Sequence, residues 1–343
     1  MDANSSSSSM LQRQRHNDPI WRCCGRLAVA IAAFGCLYVM ATLPVATAAP
    51  AAAQLVARDE IESFEVSPFS NFTERVTEIQ HDGNDGRFLV MGDIHGCLDE
   101  FNELVNKMQY QQGRDRLVLL GDLTDKGPDS LGVVRRAREL GAMCVRGNHD
   151  DKVIRIASYL RSHGGRSGDG DTQHASKDEE DEEEKKGKAL PEGHVHDDIK
   201  WTNHHFGIAE QLDDEDYEYL QQCSLIMSLP DRHSILVHAG LDPNIKSLDE
   251  QDPYYVMNMR SLDKDGHPVK HKKDGKMRWF DAWNEYGPSE KVYYAHAASS
   301  GLQINGRTYG IDTGCVYGGQ LTALDIDTHK LYQIQCPQYT EHD

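Results

Sequence analysis

The stretch that most restricts how this chain can fold runs from Arg87 to Asp151. It holds three short motifs, each an apolar run followed by a turn carrying Asp, His or Asn. The first is Phe88-Leu-Val-Met-Gly-Asp93-Ile-His95-Gly96. The second is Leu117-Val-Leu-Leu-Gly-Asp122-Leu-Thr-Asp125-Lys126-Gly127. The third is Met143-Cys-Val-Arg146-Gly147-Asn148-His149-Asp150. Apolar runs this short predict strands buried on both faces. Between them, Leu98–Met108 and Ser130–Leu140 place apolar residues at helical spacing. Strand, helix, strand, helix, strand predicts an α/β domain whose parallel sheet carries helices on its faces.

In such a sheet, side chains just past the carboxyl ends of the strands share one crevice. Asp93, His95, Asp122, Asn148 and His149 are expected there. Carboxylate, imidazole and amide oxygen suit Zn, Mn or Fe. Asp122, reached from both sides of the crevice, could bridge two cations ~3.5–4 Å apart, the spacing of two-metal hydrolytic sites. One Gly-Asp turn is ordinary; three metal-competent turns after three successive strands are a pattern. Two later runs repeat it: Ser234-Ile-Leu-Val-His238-Ala-Gly240 and Val292-Tyr-Tyr-Ala-His296. Neutral imidazole is the commonest side-chain metal ligand. Glu210–Gln222 reads as a helix, Thr308–Asp325 as two strands around a Gly-rich turn, and Lys330–Gln335 as a closing strand.

The blocks GDIHG, GDLTDKG and GNHD resemble the signature of the calcineurin-like metallophosphoesterases. More narrowly, they are similar to the phosphoprotein-phosphatase superfamily and its branch akin to bacterial diadenosine tetraphosphate hydrolases. That branch includes fungal vacuolar zinc-dependent endopolyphosphatases. The resemblance spans roughly residues 87–337 and implies two sheets packed as a sandwich, helices outside, and a dinuclear metal site at the strand ends. It implies Asp93, His95 and Asp122 on one metal, and Asp122, Asn148, His238 and His296 on the other. A metal-activated water would attack phosphorus in line. His149 would protonate the leaving oxygen, oriented by Asp125, which would favour its protonated form. Lys126 stands where the family usually has Arg and lacks its bidentate fork. Arg146 is a candidate either for phosphate contact or for support behind the site, and Arg260 resembles a phosphate-binding Arg. Asp150 and Asp151 replace the Glu of the family's GNHE block. The two divalent ions are expected to be Zn, Mn, Co or Fe, with Zn favoured by the resemblance.

The substrate implied by the resemblance is a phosphoanhydride, foremost inorganic polyphosphate cut internally. The alternatives are a dinucleoside polyphosphate or related nucleotide, a serine/threonine phosphoprotein, or phosphate binding without turnover. An adenine-stacking aromatic would favour the nucleotide, with Tyr317 and Trp279 as candidates. The chain has 343 residues and a net charge of −19. That charge argues against nucleic-acid binding through a basic surface. A polyanionic substrate then needs positive charge focused locally, which bound cations supply. No partner protein is evident.

Outside this domain, residues 1–26 are polar and read as a disordered arm. Residues 27–49 are nearly uncharged and approach the ~20 residues that span a bilayer. Preceding arginines put the arm on the cytoplasmic side. The run reads as a signal anchor or, through Ala46-Thr-Ala48, as a cleaved signal peptide. The expectation is a membrane-anchored protein with a lumenal, vacuolar catalytic domain after a linker over residues 50–86. The sequon Asn71-Phe-Thr73 would lie on that side. Residues 162–198, rich in Gly and then in Glu and Asp, read as a disordered acidic insertion. The spacing of Cys97, Cys144, Cys223, Cys315 and Cys336 makes no disulfide framework, and Cys97 and Cys144 read as packed thiols.

Overall fold

The structure, a computed structural model, describes residues 72–80, 83, 86–162 and 202–341. These lie in one compact unit, Leu55–Asp343. After a short strand β1 (Val76–Glu78) the predicted order follows: β2 (Phe88–Met91), α1 (Leu98–Met108), β3 (Arg116–Leu119), α2 (Ser130–Glu139) and β4 (Met143–Cys144). Then come α3 (Asn148–Ser162), α4 (Asn203–Gln211), α5 (Asp214–Gln221), β5 (Ile226–Leu229) and β6 (Ser234–Val237). The second half adds α6 (Pro253–Asn258), β7 (Ser261–Leu262), β8 (Pro268–Val269), β9 (Met277–Arg278) and α7 (Trp279–Tyr286). It closes with β10 (Lys291–Tyr294), β11 (Gln303–Asn305), β12 (Thr308–Gly310), β13 (Gln320–Asp325) and β14 (Leu331–Gln335).

Two mixed sheets face each other. One runs β14-β13-β2-β3-β4, with β2, β3 and β4 parallel. The other runs β1-β5-β6-β10-β12-β11, with β6, β10 and β12 parallel. Strand alternation sorts the core into three layers. Phe88, Val90, Val118 and Leu120 turn inward to meet Leu236, Tyr293 and Ile311 between the sheets. Leu89, Met91, Leu117 and Leu119 face outward under α1, α2 and α3. Ile235, Val237, Val292 and Tyr294 pack under Trp279 and Trp283 of α7. The predicted sandwich with helices outside is therefore present.

Local chemistry sets the helix bounds. In α1, Asp99 and Glu100 occupy the first turn and Lys107 the last, which complements the helix dipole. Asp129 caps α2 by accepting the Gly132 N–H at 2.7 Å. The helix expected over Glu210–Gln222 is corrected to two, α4 and α5. Leu212 leaves helical geometry, and Asp213 caps a new helix by accepting the Asp216 N–H at 2.8 Å. Three acidic residues in the first turn then favour that new start.

Two disulfides correct the cysteine reading. Cys144 is not a packed thiol but pairs with Cys223 across 79 residues, and Cys315 pairs with Cys336 across 21. Cα separations of 4.8 and 5.2 Å allow both bonds. Spacing along the chain could not foretell them, because pairing follows spatial approach. Cys144–Cys223 ties the end of β4 to the residues after α5. Closing a loop of that length contributes about 4.5 kcal/mol on the chain-entropy model. Cys97 is a buried thiol as expected, with a pKa pushed up to about 12 by burial and by Glu100.

The membrane-anchored placement is also corrected. Among the described residues no helix is long and apolar enough to cross a membrane. The 15-residue α3 spans only about 22 Å, short of a ~30 Å hydrocarbon core, and carries charges along its length. The run 27–49, the sequon at Asn71 and the insertion from residue 163 lie outside the described residues.

Candidate dinuclear metal centre and its flanks

The predicted ligands converge at the carboxyl ends of β2, β3, β4, β6 and β10. Asp122 is their hub. Its Oδ2 lies 3.5 Å from His95 Nε2 and 3.4 Å from His238 Nε2, while Oδ1 accepts the His149 backbone N–H at 2.9 Å. Asp93 Oδ2 lies 3.9 Å from His95 Nε2, and Asn148 Oδ1 lies 3.1 Å from His238 Nε2. Ring partners fix which nitrogen is free to ligate. The Nδ1 of His95 faces the Thr124 carbonyl at 3.0 Å, and that of His238 faces the Leu120 carbonyl at 2.8 Å. Both rings therefore turn Nε2 toward Asp122. His296 is reversed: Nε2 faces the Asn258 carbonyl at 3.2 Å, which leaves Nδ1 for a ligand. Such outer hydrogen bonds orient metal-binding imidazoles.

Left-handed backbone is concentrated at these turns. φ is +47° at His95, +49° at Asp122, +73° at Asp125, +65° at Lys126 and +66° at His296. Each such non-glycine conformation costs about 1–3 kcal/mol and is tolerated where the surroundings enforce it. Gly121 and Gly147 make the crowding possible. A Cβ on Gly121 would stand 2.6 Å from Gly147 N, and one on Gly147 would collide with Asp122. Asp150, in the place of the family's Glu, ties the loops together. Its carboxylate accepts from Leu123 N, Thr124 N, Thr124 Oγ1 and Gly147 N at 2.8–3.3 Å. Burial and the nearby Asp122 charge push its pKa up to about 6.

The donor set fits divalent cations. Burial, together with repulsion from Asp312 and Asp122, pushes the Asp93 carboxyl well above the usual carboxylate range. Three buried carboxylates thus crowd one space among imidazoles, and a bound cation would relieve that repulsion. Asp122 belongs both to a group with His95 and His149 and to one with His238 and His296. That membership is what a bridging carboxylate requires.

The flanks differ from the expectations in several places. His149 Nδ1 lies 2.6 Å from Asp125 Oδ2, so the expected pair forms. Burial nevertheless drives the His149 pKa well below the ordinary imidazole value, against the pull of Asp122 and Asp125, so the free ring is neutral. Burial works to raise Asp125, but hydrogen bonds from His149 and His205 overcome it and keep this carboxylate ionised. Arg146 does not reach the crevice. It is fully buried, stacks on Phe72, donates from Nη2 to the Gln221 carbonyl at 2.8 Å and lies 3.5 Å from Asp151. Its role is support for α3. Lys126 Nζ donates to the Tyr317 hydroxyl at 2.5 Å, so a phenol steadies the point charge that replaces Arg. Arg260 reaches the His296 carbonyl from Nη2 at 3.4 Å and sits beside the metal-site carboxylates, where burial lowers its pKa and Asp312 and Asp122 oppose that. Trp279 is 1% exposed, so it cannot stack on a base; Tyr317 is half-buried at the crevice.

Sequence reasoning missed three side chains. Asp312, in a segment expected to line the site, adds the third carboxylate and accepts the Gly314 N–H at 3.0 Å. His204 and His205 open α4 and both reach Asp125. The signal for them was Thr202 followed by a His pair, a capping residue ahead of imidazoles. A strand-end pattern does not detect residues on a helix, such as α4, that does not directly follow a strand.

Comparison with known proteins agrees with this geometry. The family model for calcineurin-like phosphoesterases matches residues 86–318. The chain is 29% identical over 280 residues to a symmetrical bis(5'-nucleosyl)-tetraphosphatase of Janthinobacterium sp. (strain Marseille), covering 73% of this chain and 96% of that protein. It is 30% identical over 267 residues to the enzyme of the same name from Methylobacillus flagellatus, covering 72% and 94%. A crystal structure provisionally named a diadenosine tetraphosphatase superposes with a TM-score of 0.58 at 28% identity, covering 76% of this chain and 97% of that one. With bacterial tetraphosphatases as relatives and no spanning helix among the described residues, the membrane-anchored, vacuolar placement does not stand. On its motifs, its two-sheet fold and the match over most of its length, this chain is a metallophosphoesterase of the calcineurin-like family.

Proposed function

We propose that this protein hydrolyses bis(5'-nucleosyl) tetraphosphates at the central phosphoanhydride, releasing two nucleoside diphosphates. One observation carries the reading. Relatives named symmetrical tetraphosphatases align with this chain over nearly their whole length. Asp93, His95 and Asp122 would hold one divalent cation, and Asp122, Asn148, His238 and His296 a second. When bound, such cations acidify a water and neutralise charge on the phosphoryl oxygens. Arg260 and Lys126 bind phosphate oxygens from opposite flanks. His149, neutral in the free protein, takes up a second proton beside the bound polyanion and delivers it from Nε2 to the leaving oxygen, because Asp125 occupies Nδ1. Tyr317 is the aromatic placed to meet a base.

Internal cleavage of inorganic polyphosphate is the second reading. Residues 260–278 favour it: they hold seven Lys or Arg against three Asp, in a chain with 36 Lys and Arg against 55 Asp and Glu. The test is metal-stripped protein reconstituted with Zn, Mn, Co or Mg and offered diadenosine tetraphosphate and long-chain polyphosphate. Adenosine diphosphate as the sole nucleotide product supports the proposal. Adenosine monophosphate with triphosphate, or turnover of polyphosphate alone, overturns it.

A further inference from the structure

Asp125 is gripped by more than its expected partner. His149 Nδ1 lies 2.6 Å from Asp125 Oδ2, and His205 Nε2 lies 3.2 Å from the same oxygen. His204 Nδ1 takes Oδ1 at 2.7 Å, while the Asp125 backbone N–H donates to Ser130 Oγ at 3.0 Å. The His205 and His149 rings stack at 5.3 Å with 14° between planes.

The local chemistry of α4 fixes the His205 tautomer. Thr202 is the N-cap, and its Oγ1 accepts the His205 backbone N–H at 3.3 Å. In return His205 Nδ1 accepts the Thr202 backbone N–H at 3.1 Å. This is a reciprocal capping box with His in the place usually held by Glu or Gln. With Nδ1 an acceptor, the neutral ring carries its proton on Nε2, which aims at Asp125. His205 is 1% exposed, so no solvent competes for that proton. A His–Asp pair alone would leave the carboxylate free to swing about its side-chain torsions. The imidazoles of α4 remove that freedom, the half-exposed His204 on Oδ1 and the buried His205 on the oxygen that His149 uses.

We propose that His205 is a positioning residue for leaving-group protonation, holding Asp125 and through it the orientation of His149. The proposal rests on the reading that His149 is the proton donor. In that step His149, having taken up a second proton beside the bound polyanion, keeps its Nδ1–H on Asp125; the bond from phosphorus to the leaving oxygen breaks, the Nε2 proton moves to that oxygen, and the ring returns to its neutral form with Asp125 still ionised. His205 contacts His149 on the Asp125 side of the ring, 3.1 Å from Nδ1, and not at the Nε2 that transfers the proton.

The test is a series of aryl phosphates whose leaving phenols span acidic to weakly acidic, assayed on the full chain at equal metal content. The slope of log kcat/KM against leaving-group acidity is the readout. His149→Ala should steepen it strongly, since unprotonated leaving groups then depart unaided; an unchanged slope there overturns the proton-donor reading itself. His205→Ala should steepen it in part, with about a tenfold loss in kcat on the poorest leaving group, at most about twofold on the best, and KM little changed. His205→Gln, which keeps an N–H donor, should recover part of the loss. Thr202→Ala removes the cap but leaves His205 facing Asp125. It should lower Tm and leave the slope alone. A uniform loss across the series in His205→Ala, matching the Thr202→Ala behaviour, overturns the proposal and leaves His205 a cap only.

Discussion

The two flanks of the metal centre are built in opposite ways. On one side, Asp125 and His149 are enclosed by α3, α4 and the turn after β3, with three imidazoles on the Asp125 carboxylate at 2.6–3.2 Å and Ser130 Oγ accepting the Asp125 backbone N–H at 3.0 Å. On the other, a three-stranded sheet, β8-β7-β9, meets the centre through Arg260 and anchors through Arg278. Arg260 reaches the His296 carbonyl at 3.4 Å, and Arg278 Nη1 reaches Ser300 Oγ at 3.5 Å. Three cations of the connection between β8 and β9, Lys272, Lys273 and Lys276, are exposed and pair with no carboxylate among the described residues. On the proposed mechanism the dyad transfers a proton, which tolerates little positional error, and its many contacts suit that demand. Attraction of a polyanion tolerates much, so loosely held charge suffices on the other flank. Chemistry and capture are therefore separable by mutation.

The most severe break should come at the hub both flanks share. Asp122→Asn removes the charge facing His95 and His238, and should cut kcat by about 10³ or more while lowering bound metal, measured by elemental analysis; near-wild-type turnover would remove Asp122 from the centre. His149→Ala breaks only the enclosed flank. A loss of about 10²–10⁴ in kcat on diadenosine tetraphosphate is expected, with metal content intact. Lys272→Ala with Lys273→Ala probes the other flank. KM for the tetraphosphate should rise a few-fold, more at low salt than high, with kcat unchanged. A fall in kcat alone would show that this flank positions rather than captures.

The smallest effect is a control far from both flanks. Arg87 Nη2 lies 2.5 Å from Asp115 Oδ2, and Asp115 also accepts the Gln111 N–H at 3.0 Å. Burial acts to raise the Asp115 pKa, but Arg87 and these donors win and hold it below the ordinary value. A carboxyl depressed in the fold stabilises above its unfolded pKa and loses that contribution as pH falls through the folded one. Asp115→Asn should therefore lower Tm by a few degrees at pH 7, for about 1–2 kcal/mol. The gap to wild type should narrow only below about pH 4. A gap that stays constant to pH 3 would remove the ion pair as its cause.

Much of the centre was legible before any coordinates. Asp93, His95, Asp122, Asn148, His238 and His296 each follow an apolar run by one to four residues. A buried strand that ends in a turn sends its next polar side chains to one edge, whatever the rest of the fold does. The same logic misled at Arg146, which shares the third motif. Its side chain precedes Gly147 and turns inward, under Phe72 and beside Asp151, where a charged residue is held by partners no local pattern reveals.

What the sequence alone determined is the order of the elements and the identity of the strand-end donors, because both depend on contacts within a few residues of each other. The tertiary structure decided the rest. It brought Asp312 to Asp93 and His205 to Asp125, joined Cys144 to Cys223, and set Tyr317 against Lys126. These contacts join residues 79 to 219 positions apart. Their partners are chosen by how two sheets and their helices pack, and packing is a property of the whole core that no local stretch of sequence contains.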